Sequence, residues 1–153
     1  MVRKQPRSAV RAIIIQDHRL LLCRYKGVTG DYFVCPGGGQ RFGEDMPAAL
    51  VRECKEEIGC GVRVGDMALV TDAIFHTAND TGAAKRHQVE HHFVCEILSG
   101  QTAQTGPKPD TDFLGLEWVP IDRLGELLLY PPQLLGYIAS GTHGFPVYQG
   151  RSG

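Results

Sequence analysis

Glu53, Glu56 and Glu57 stand close together, a short way after a run of three glycines at Gly37, Gly38 and Gly39. On a helix turning 100° per residue, with Leu50 taken as zero, these glutamates fall at about 300°, 240° and 340°. The three carboxylates then share a sector of about 100°, stacked one turn apart. Cys54, Ile58 and Val51 fall at about 40°, 80° and 100° and form the apolar stripe that faces a core. Like charges at such spacings repel by about a few tenths of a kcal/mol per pair. Arg52 can pair with Glu56, and Lys55 lies on the far side, but neither neutralises all three. A carboxylate cluster that opposes its own helix suits a cation. Oxygen-only ligands favour Mg²⁺, Mn²⁺ or Ca²⁺ over zinc. Taken alone, E-x-x-E-E is more often a solvated acidic face, and three glycines are more often a turn. Their conjunction is the informative feature, because glycines let backbone amides and carbonyls approach a ligand closely.

The elements that must position these residues are readable in outline. Ala9–Ile15 and Leu20–Arg24 alternate as strands around a turn at Asp17-His18. Tyr32–Cys35 is a short strand that feeds a loop at Pro36-Gly37-Gly38-Gly39. Met46–Ile58 is the helix, with Asp45 as N-cap, Pro47 in the first turn and Gly59 as its stop. Val62–Val64, Met67–His76, His87–Ile97 and Leu114–Val119 are strand-like, with a turn at Asn79–Gly82 and a polar loop at Thr102–Asp112. Ile121–Leu128 is a short helix, Pro131-Pro132 interrupts, and Gln133–Ala139 is a last helix. Strands mixed with helices in this order predict an α/β (α+β) arrangement, a mixed sheet with helices packed on it.

The segment from Gly38 to Cys60 resembles the Nudix box, G-x5-E-x7-R-E-U-x-E-E-x-G-U, where U is a bulky aliphatic residue. Gly38, Glu44, Arg52-Glu53, Glu56-Glu57 and Gly59 fill every charged and glycine position at the right spacing. Cys54 and Cys60 stand at two U positions, where a small hydrophobe is tolerated with looser packing. Arg41 stands where many relatives carry a glutamate, which removes a carboxylate there and offers a cation to phosphate. A looser resemblance covers most of the chain. Arg11–Arg24 is similar to the family's opening hairpin, and Leu116–Pro120 with Asp122–Leu128 is similar to its closing strand and helix.

The resemblance implies a single Nudix domain over residues 1–153, an α/β/α sandwich with a mixed central sheet. It also implies Mg²⁺- or Mn²⁺-dependent hydrolysis of a diphosphate linkage in a nucleoside diphosphate joined to another group. Glu53, Glu56 and Glu57 are the implied metal ligands, with the Gly38 carbonyl as a candidate fourth. Arg52 is implied to orient the carboxylates, and Glu44 to be either a metal-water contact or a loop anchor. Glu53 is the first candidate for general base. Glu90 is the second if its strand turns it into the cleft, and otherwise it is an exposed strand residue. Arg24, Arg41 and Gly39 are the candidate substrate contacts, with a surface role the equal alternative for Arg24. Phe113 and Trp118 could stack on a base, although core packing suits Trp118 better. Tyr130 and the Pro131-Pro132 break are placed at the pocket border. His87, His91 and His92 are read as ordinary core or surface histidines. Specificity is assigned to Thr77–Arg86 and Thr102–Asp112.

The resemblance leaves a small nucleotide-like molecule as the expected partner, and, by analogy with dimeric relatives, a homodimer. A silent sensor of a nucleotide such as ADP-ribose is the alternative, and the intact carboxylates argue against it. The bulk numbers agree. With 153 residues, one hydrophobic core is expected. A net charge of −1 provides no field for long nucleic acid or anionic membrane. The basic residues Arg3, Lys4, Arg7 and Arg11 read as a solvated terminus. Apolar runs such as Ala12–Ile15 and Leu20–Cys23 are too short for a signal core or a membrane span. Five cysteines without a C-x-x-C pair predict reduced thiols and a cytoplasmic setting.

Overall fold

The structure is a computed structural model that describes residues 4–75, 86–141 and 145–152. Two sheets, two α-helices and a 3₁₀ turn are present among the described residues. In order these are β1 (Arg7–Ile13), β2 (Ile15–Gln16), β3 (Arg19–Tyr25), β4 (Tyr32–Val34), β5 (Gly37–Gly39) and α1 (Met46–Ile58). There follow β6 (Val62–Phe75), β7 (Arg86–Ile97), β8 (Phe113–Pro120), a 3₁₀ turn (Ile121–Glu126), β9 (Leu129–Tyr130), α2 (Gln133–Ala139) and β10 (Tyr148–Ser152).

The first sheet has the order β10-β6-β7-β1-β5 and is mixed. The β1–β7 and β6–β10 pairs are parallel, while β6–β7 and β1–β5 are antiparallel. The second sheet runs β2-β3-β4-β9, with β8 antiparallel on the other edge of β3. This is the expected mixed α+β architecture. At the β2–β3 turn, Asp17 and His18 adopt φ of 49° and 58°, a left-handed pair that a tight hairpin requires.

Two buried clusters follow from strand alternation. On one face of the first sheet, Val10, Ala12, Phe93 and Cys95 pack against Ala49, Leu50, Cys54 and Ile58 of α1. The opposite parity, with Ile13 and Leu69, meets Leu20, Leu22 and Phe33 of the second sheet, together with Leu134 and Tyr137 of α2. Full burial of side chains such as Leu50 and Ile58 contributes about 1.5–3 kcal/mol each. Cys54 and Cys60 belong to the same cluster as their aliphatic neighbours, and all five cysteines are buried and unpaired. Burial pushes the Cys35 thiol up to about 12, so it stays protonated and inert.

Several boundaries differ from the sequence expectation. The three glycines are a strand rather than a loop. β5 pairs with β1 through Ala9–Gly39, Val10–Gly38 and Arg11–Gly37. The two strands read at Val62–Val64 and from Met67 onward are one strand, Val62–Phe75, whose bulges lie between Val64 and Leu69. His76, the Asn79–Gly82 turn and residues 77–85 of the proposed specificity segment lie outside the described residues. Ile121–Leu128 contains a 3₁₀ turn that stops at Glu126. β9 and β10 were not anticipated, being two residues long and glycine-containing respectively.

α1 is as read. Asp45 is extended (φ −77°, ψ 168°) and its side chain accepts from the Ala48 amide, while Gly59 closes the helix at φ 65°. The 102–112 loop has a structural task here. Its amides at Gln104, Gly106 and Lys108 donate to the last carbonyls of α1 at Ile58, Glu57 and Glu56, at 2.9, 2.9 and 3.2 Å. A side chain at Gly106 would sit on the Glu56 carbonyl, 2.5 Å from its carbon. Gly106→Ala is therefore expected to cost about 2 kcal/mol through overpacking against backbone, lowering Tm by roughly 4–8 °C. An unchanged melt would contradict this close approach.

Candidate active site

A cleft of about 650 Å³ opens where α1 and β5 meet the ends of β3, β4, β6 and β7. Glu53, Glu56 and Glu57 line it together with Gly37, Gly38 and Gly39, so the helix sector and the glycine strand share one wall. Glu90 and the side chain of Arg11 line the same cleft, as do Tyr25, Tyr32, Phe75 and Tyr130.

Each box carboxylate has a distinct environment. Glu57 is buried. It accepts from the Tyr25 hydroxyl at 2.7 Å on one oxygen and from the Gly37 amide at 3.0 Å on the other. Burial and Glu57 together push the Tyr25 phenol up, so it remains a donor. Glu53 lies directly against Gly38, where a Cβ would stand 2.6 Å from its carboxyl carbon. Burial raises the Glu53 carboxyl above the ordinary range. Arg52 opposes that rise, and Glu56 and Glu57 add to it. Glu56 is more open and faces Arg52 at 3.4 Å and Arg41 at 3.8 Å.

Arg52 binds the set together. Its guanidinium donates to Glu53 at 2.9 Å, to the Gly39 carbonyl at 3.0 Å, and to both oxygens of Glu44 at 2.5 and 3.1 Å. One planar fork therefore fixes helix, strand and loop at once. Glu44 also accepts from the Arg41 amide at 2.7 Å. The Arg52 bonds first, and the Arg41 amide second, hold the Glu44 carboxyl down at about 2. Glu44, Arg52 and Arg41 are not among the residues lining the cleft.

Among the described residues no three Asp, Glu, His or Cys side chains form a closed ligand set. The hydrogen bonds just described account for this, since Glu57 is turned to Tyr25 and Glu53 to Arg52. The donors themselves fit a hard divalent cation. They are oxygens, they share a wall, and Glu53 is seated in a cradle that only a glycine leaves open.

One reading of the basic residues is corrected, and one is left open. Arg24 pairs with Asp31 and Glu117 at 2.5 and 2.8 Å and lies outside the cleft lining, which favours the surface alternative. Arg11 is not part of a solvated terminus. It is half-buried, with its side chain 12% exposed, and donates at 3.3 Å to the carbonyls of Cys35 and Gly37 and to Glu90. Burial works against its charge, and the carboxylates of Glu90 and Glu57 outweigh that effect. Glu90 is correspondingly buried rather than an exposed strand residue. Arg7 reaches over Gly39 into the cleft, and Arg3 lies outside the described residues. The signal that could have found Arg11 is its place in an otherwise apolar run, Val10-Arg11-Ala12-Ile13, where a charge on an inward position needs a partner.

Tyr25 was also missed. It stacks on Tyr32 at 5.5 Å and meets Phe113 edge-on at 5.6 Å, so Phe113 buttresses a cleft ring. Trp118 packs against the α1 core as expected, and Tyr130 borders the cleft as expected. Of the 102–112 loop, Lys108 and Asp110 line the cleft. His87 bonds Asp72 at 2.8 Å and His91 bonds the Ala9 carbonyl at 3.0 Å.

His92 is fully buried, with neither ring nitrogen hydrogen-bonded. Burial holds its pKa down at about 4. The folded chain keeps it neutral, while the unfolded chain protonates it below about 6.5. Stability from this residue is thus complete above that pH and is lost as pH falls toward 4, by about 3 kcal/mol in all. Urea titrations of wild type and His92→Leu should diverge in slope by about 1.4 kcal/mol per pH unit within that window. Parallel pH profiles would show that His92 is not held neutral.

Comparison with known proteins agrees with this geometry. The family model for the NUDIX domain matches residues 5–138. A curated relative, an ADP-ribose pyrophosphatase of Methanocaldococcus jannaschii, is 28% identical over 116 residues. The match covers 75% of this chain and 65% of that protein, so the chain spans just under two thirds of the relative's length. Among solved structures, a NUDIX hydrolase from Nitrosomonas europaea is 22% identical with a TM-score of 0.69, covering 90% of this chain and 91% of that one. A MutT NUDIX hydrolase from Burkholderia pseudomallei is 25% identical with a TM-score of 0.68, covering 86% and 96%. No helix among the described residues is long and apolar enough to cross a membrane. A motif filled at every charged position, a family match over most of the chain and a shared fold together establish that the chain belongs to the Nudix family.

Proposed function

We propose that this chain is a pyrophosphohydrolase that cuts the diphosphate linkage of a nucleoside diphosphate joined to another group, with ADP-ribose the first substrate to test. One observation carries the reading. The three box carboxylates, the glycine strand and five cationic residues, Arg7, Arg11, Lys26, Arg86 and Lys108, line a single cleft. The acids suit a divalent cation and the bases suit the oxygens of a polyanion. The choice of ADP-ribose follows the name of the curated relative.

In this reading Glu53, Glu56 and Glu57, with the Gly38 carbonyl, would hold Mg²⁺ or Mn²⁺, which would supply charge neutralisation for the diphosphate and activation of water. Arg52 orients the carboxylates and does not touch substrate, and Glu44 anchors the loop through Arg52 and the Arg41 amide. Tyr25 and the Gly37 amide fix the direction of Glu57. Glu53 is the first choice to take the proton from water, since it lines the cleft and its carboxylate lies directly against Gly38. Glu90 is second, because Arg11 already engages it. Arg7, above Gly39, is placed to hold a phosphate oxygen. A cytoplasmic setting and a homodimer belong to the same proposal, the former supported by five unpaired buried thiols.

The test is a panel of ADP-ribose, nucleotide sugars, nucleoside triphosphates and dinucleoside polyphosphates, incubated with Mg²⁺ or Mn²⁺ and separated by chromatography. Release of a nucleoside monophosphate from ADP-ribose is expected. Turnover confined to triphosphates, giving pyrophosphate, would replace ADP-ribose as substrate class.

A further inference from the structure

The floor of the cleft continues inward past Glu90. On β7, Gln88, Glu90 and His92 share one face, and the strand register sets Arg7, Ala9 and Arg11 of β1 beside them. On their other side stand Ala73, Thr71 and Leu69 of β6. Arg7, Arg11, Gln88 and Glu90 line the cleft, whereas Thr71 and His92 lie behind it and are fully buried. One step further in, the face turns apolar at Ile13 and Leu69, which pack on Leu20 and Leu22 of the second sheet. The polar residues therefore form a wedge that enters from the cleft and stops against the core between the sheets.

The inner end of this wedge is short of partners. Among the described residues, five buried side-chain polar atoms have no hydrogen-bond partner in the protein, and four of them are Arg11 Nε, Thr71 Oγ1 and both ring nitrogens of His92. Their owners are neighbours in the sheet. Arg11 stands directly beside His92, and Thr71 stands diagonal to it, opposite Glu90. Buried polar groups left unpaired are rare, because each gives up its hydration without a replacement. Diagonal neighbours on adjacent strands lie about 7–8 Å apart, and a water making two hydrogen bonds of roughly 2.8 Å each spans the distance between their polar tips. Donors and acceptors also match. Burial keeps His92 neutral, so its ring offers one N–H and one bare nitrogen. The Thr71 hydroxyl gives or accepts, and Arg11 Nε gives. An internal water needs about two to four such partners.

We propose that His92, Thr71 and Arg11 Nε share an internal water site, the inner end of a hydrated wedge that opens at the cleft. The site is independent of the reaction assigned to the cleft. Its water completes the hydrogen bonding of a guanidinium whose other nitrogens hold the Cys35 and Gly37 carbonyls and Glu90. Thr71 and His92 thereby brace the glycine strand from behind without touching it.

The test is a two-residue cycle of urea titrations at about pH 8, where His92 is neutral both folded and unfolded. Thr71→Val keeps the shape of the side chain and removes the hydroxyl. In the wild-type background it is expected to raise the unfolding equilibrium constant about fivefold, the scale of one lost hydrogen bond. In a His92→Leu background the shared site is already broken, and the same substitution should change that constant by less than about twofold. A Thr71→Val protein as stable as wild type, or more stable, would overturn the proposal, because removing an unpartnered hydroxyl relieves a cost. An equal loss in both backgrounds would also overturn it, since the two side chains then act separately. If His92→Leu does not fold, a high-resolution crystal structure of the wild type decides. An electron-density peak within hydrogen-bond distance of both Thr71 Oγ1 and a His92 nitrogen supports the site, and the lack of one there overturns it.

Discussion

Glu57→Gln is expected to lower turnover by at least ~10²-fold with little change in melting temperature. The side chain keeps its shape. Its oxygen still accepts from the Gly37 amide, and its new amide group can donate to the Tyr25 hydroxyl, so the contacts now at 3.0 and 2.7 Å have replacements. Only the charge is lost, and charge is what a hard divalent cation requires of this wall. The measurement is kcat on the accepted substrate beside a thermal melt. A wild-type rate would remove Glu57 from the mechanism. A collapsed melt would instead assign it a structural role, as the buried partner of Tyr25.

Gly38→Ala should have an effect of similar size by a different route. The added Cβ would stand 2.6–2.7 Å from the carboxyl atoms of Glu53. That carboxylate is the end of a flexible side chain, so it moves and the backbone does not, and the fold survives. A displacement of roughly 1 Å in an oriented catalytic group costs about 10²-fold in rate. Turnover should therefore fall on the order of 10²-fold while Tm shifts little. An unaffected rate would show that the position of Glu53 over Gly38 is irrelevant to the reaction.

The division between what the sequence revealed and what it hid follows the range of the interactions. The box is local. Spacing on a single helix decides which glutamates share a face, and Asp45 and Gly59 mark its ends by their own backbone chemistry. The glycine strand was hidden because residues without side chains carry no alternation, and only pairing with β1 makes them a strand. The other half of the cleft is non-local. Arg11 meets Glu90 because β1 lies parallel to β7 in a register that sets Ala9 beside Glu90. The aromatic residues of the cleft, Tyr25, Tyr32, Phe75 and Tyr130, come from four strands, and nothing in the sequence near Tyr32 announces Phe75 or Tyr130. Arg24 was ambiguous for the same reason, since its partner Glu117 arrives only through the β3–β8 pairing.

In the proposed reaction the Glu53, Glu56 and Glu57 wall carries out metal-dependent diphosphate hydrolysis. The most direct measurement is the initial rate of nucleoside monophosphate release from ADP-ribose, taken in EDTA and across a titration of free Mg²⁺ or Mn²⁺, for wild type and Glu57→Gln. The expected rate is absent in EDTA, saturates with metal in the wild type, and stays at least ~10²-fold lower in the variant at any metal concentration. A wild-type rate that is equal in EDTA and in metal, or a variant that matches the wild type at saturating metal, would contradict it.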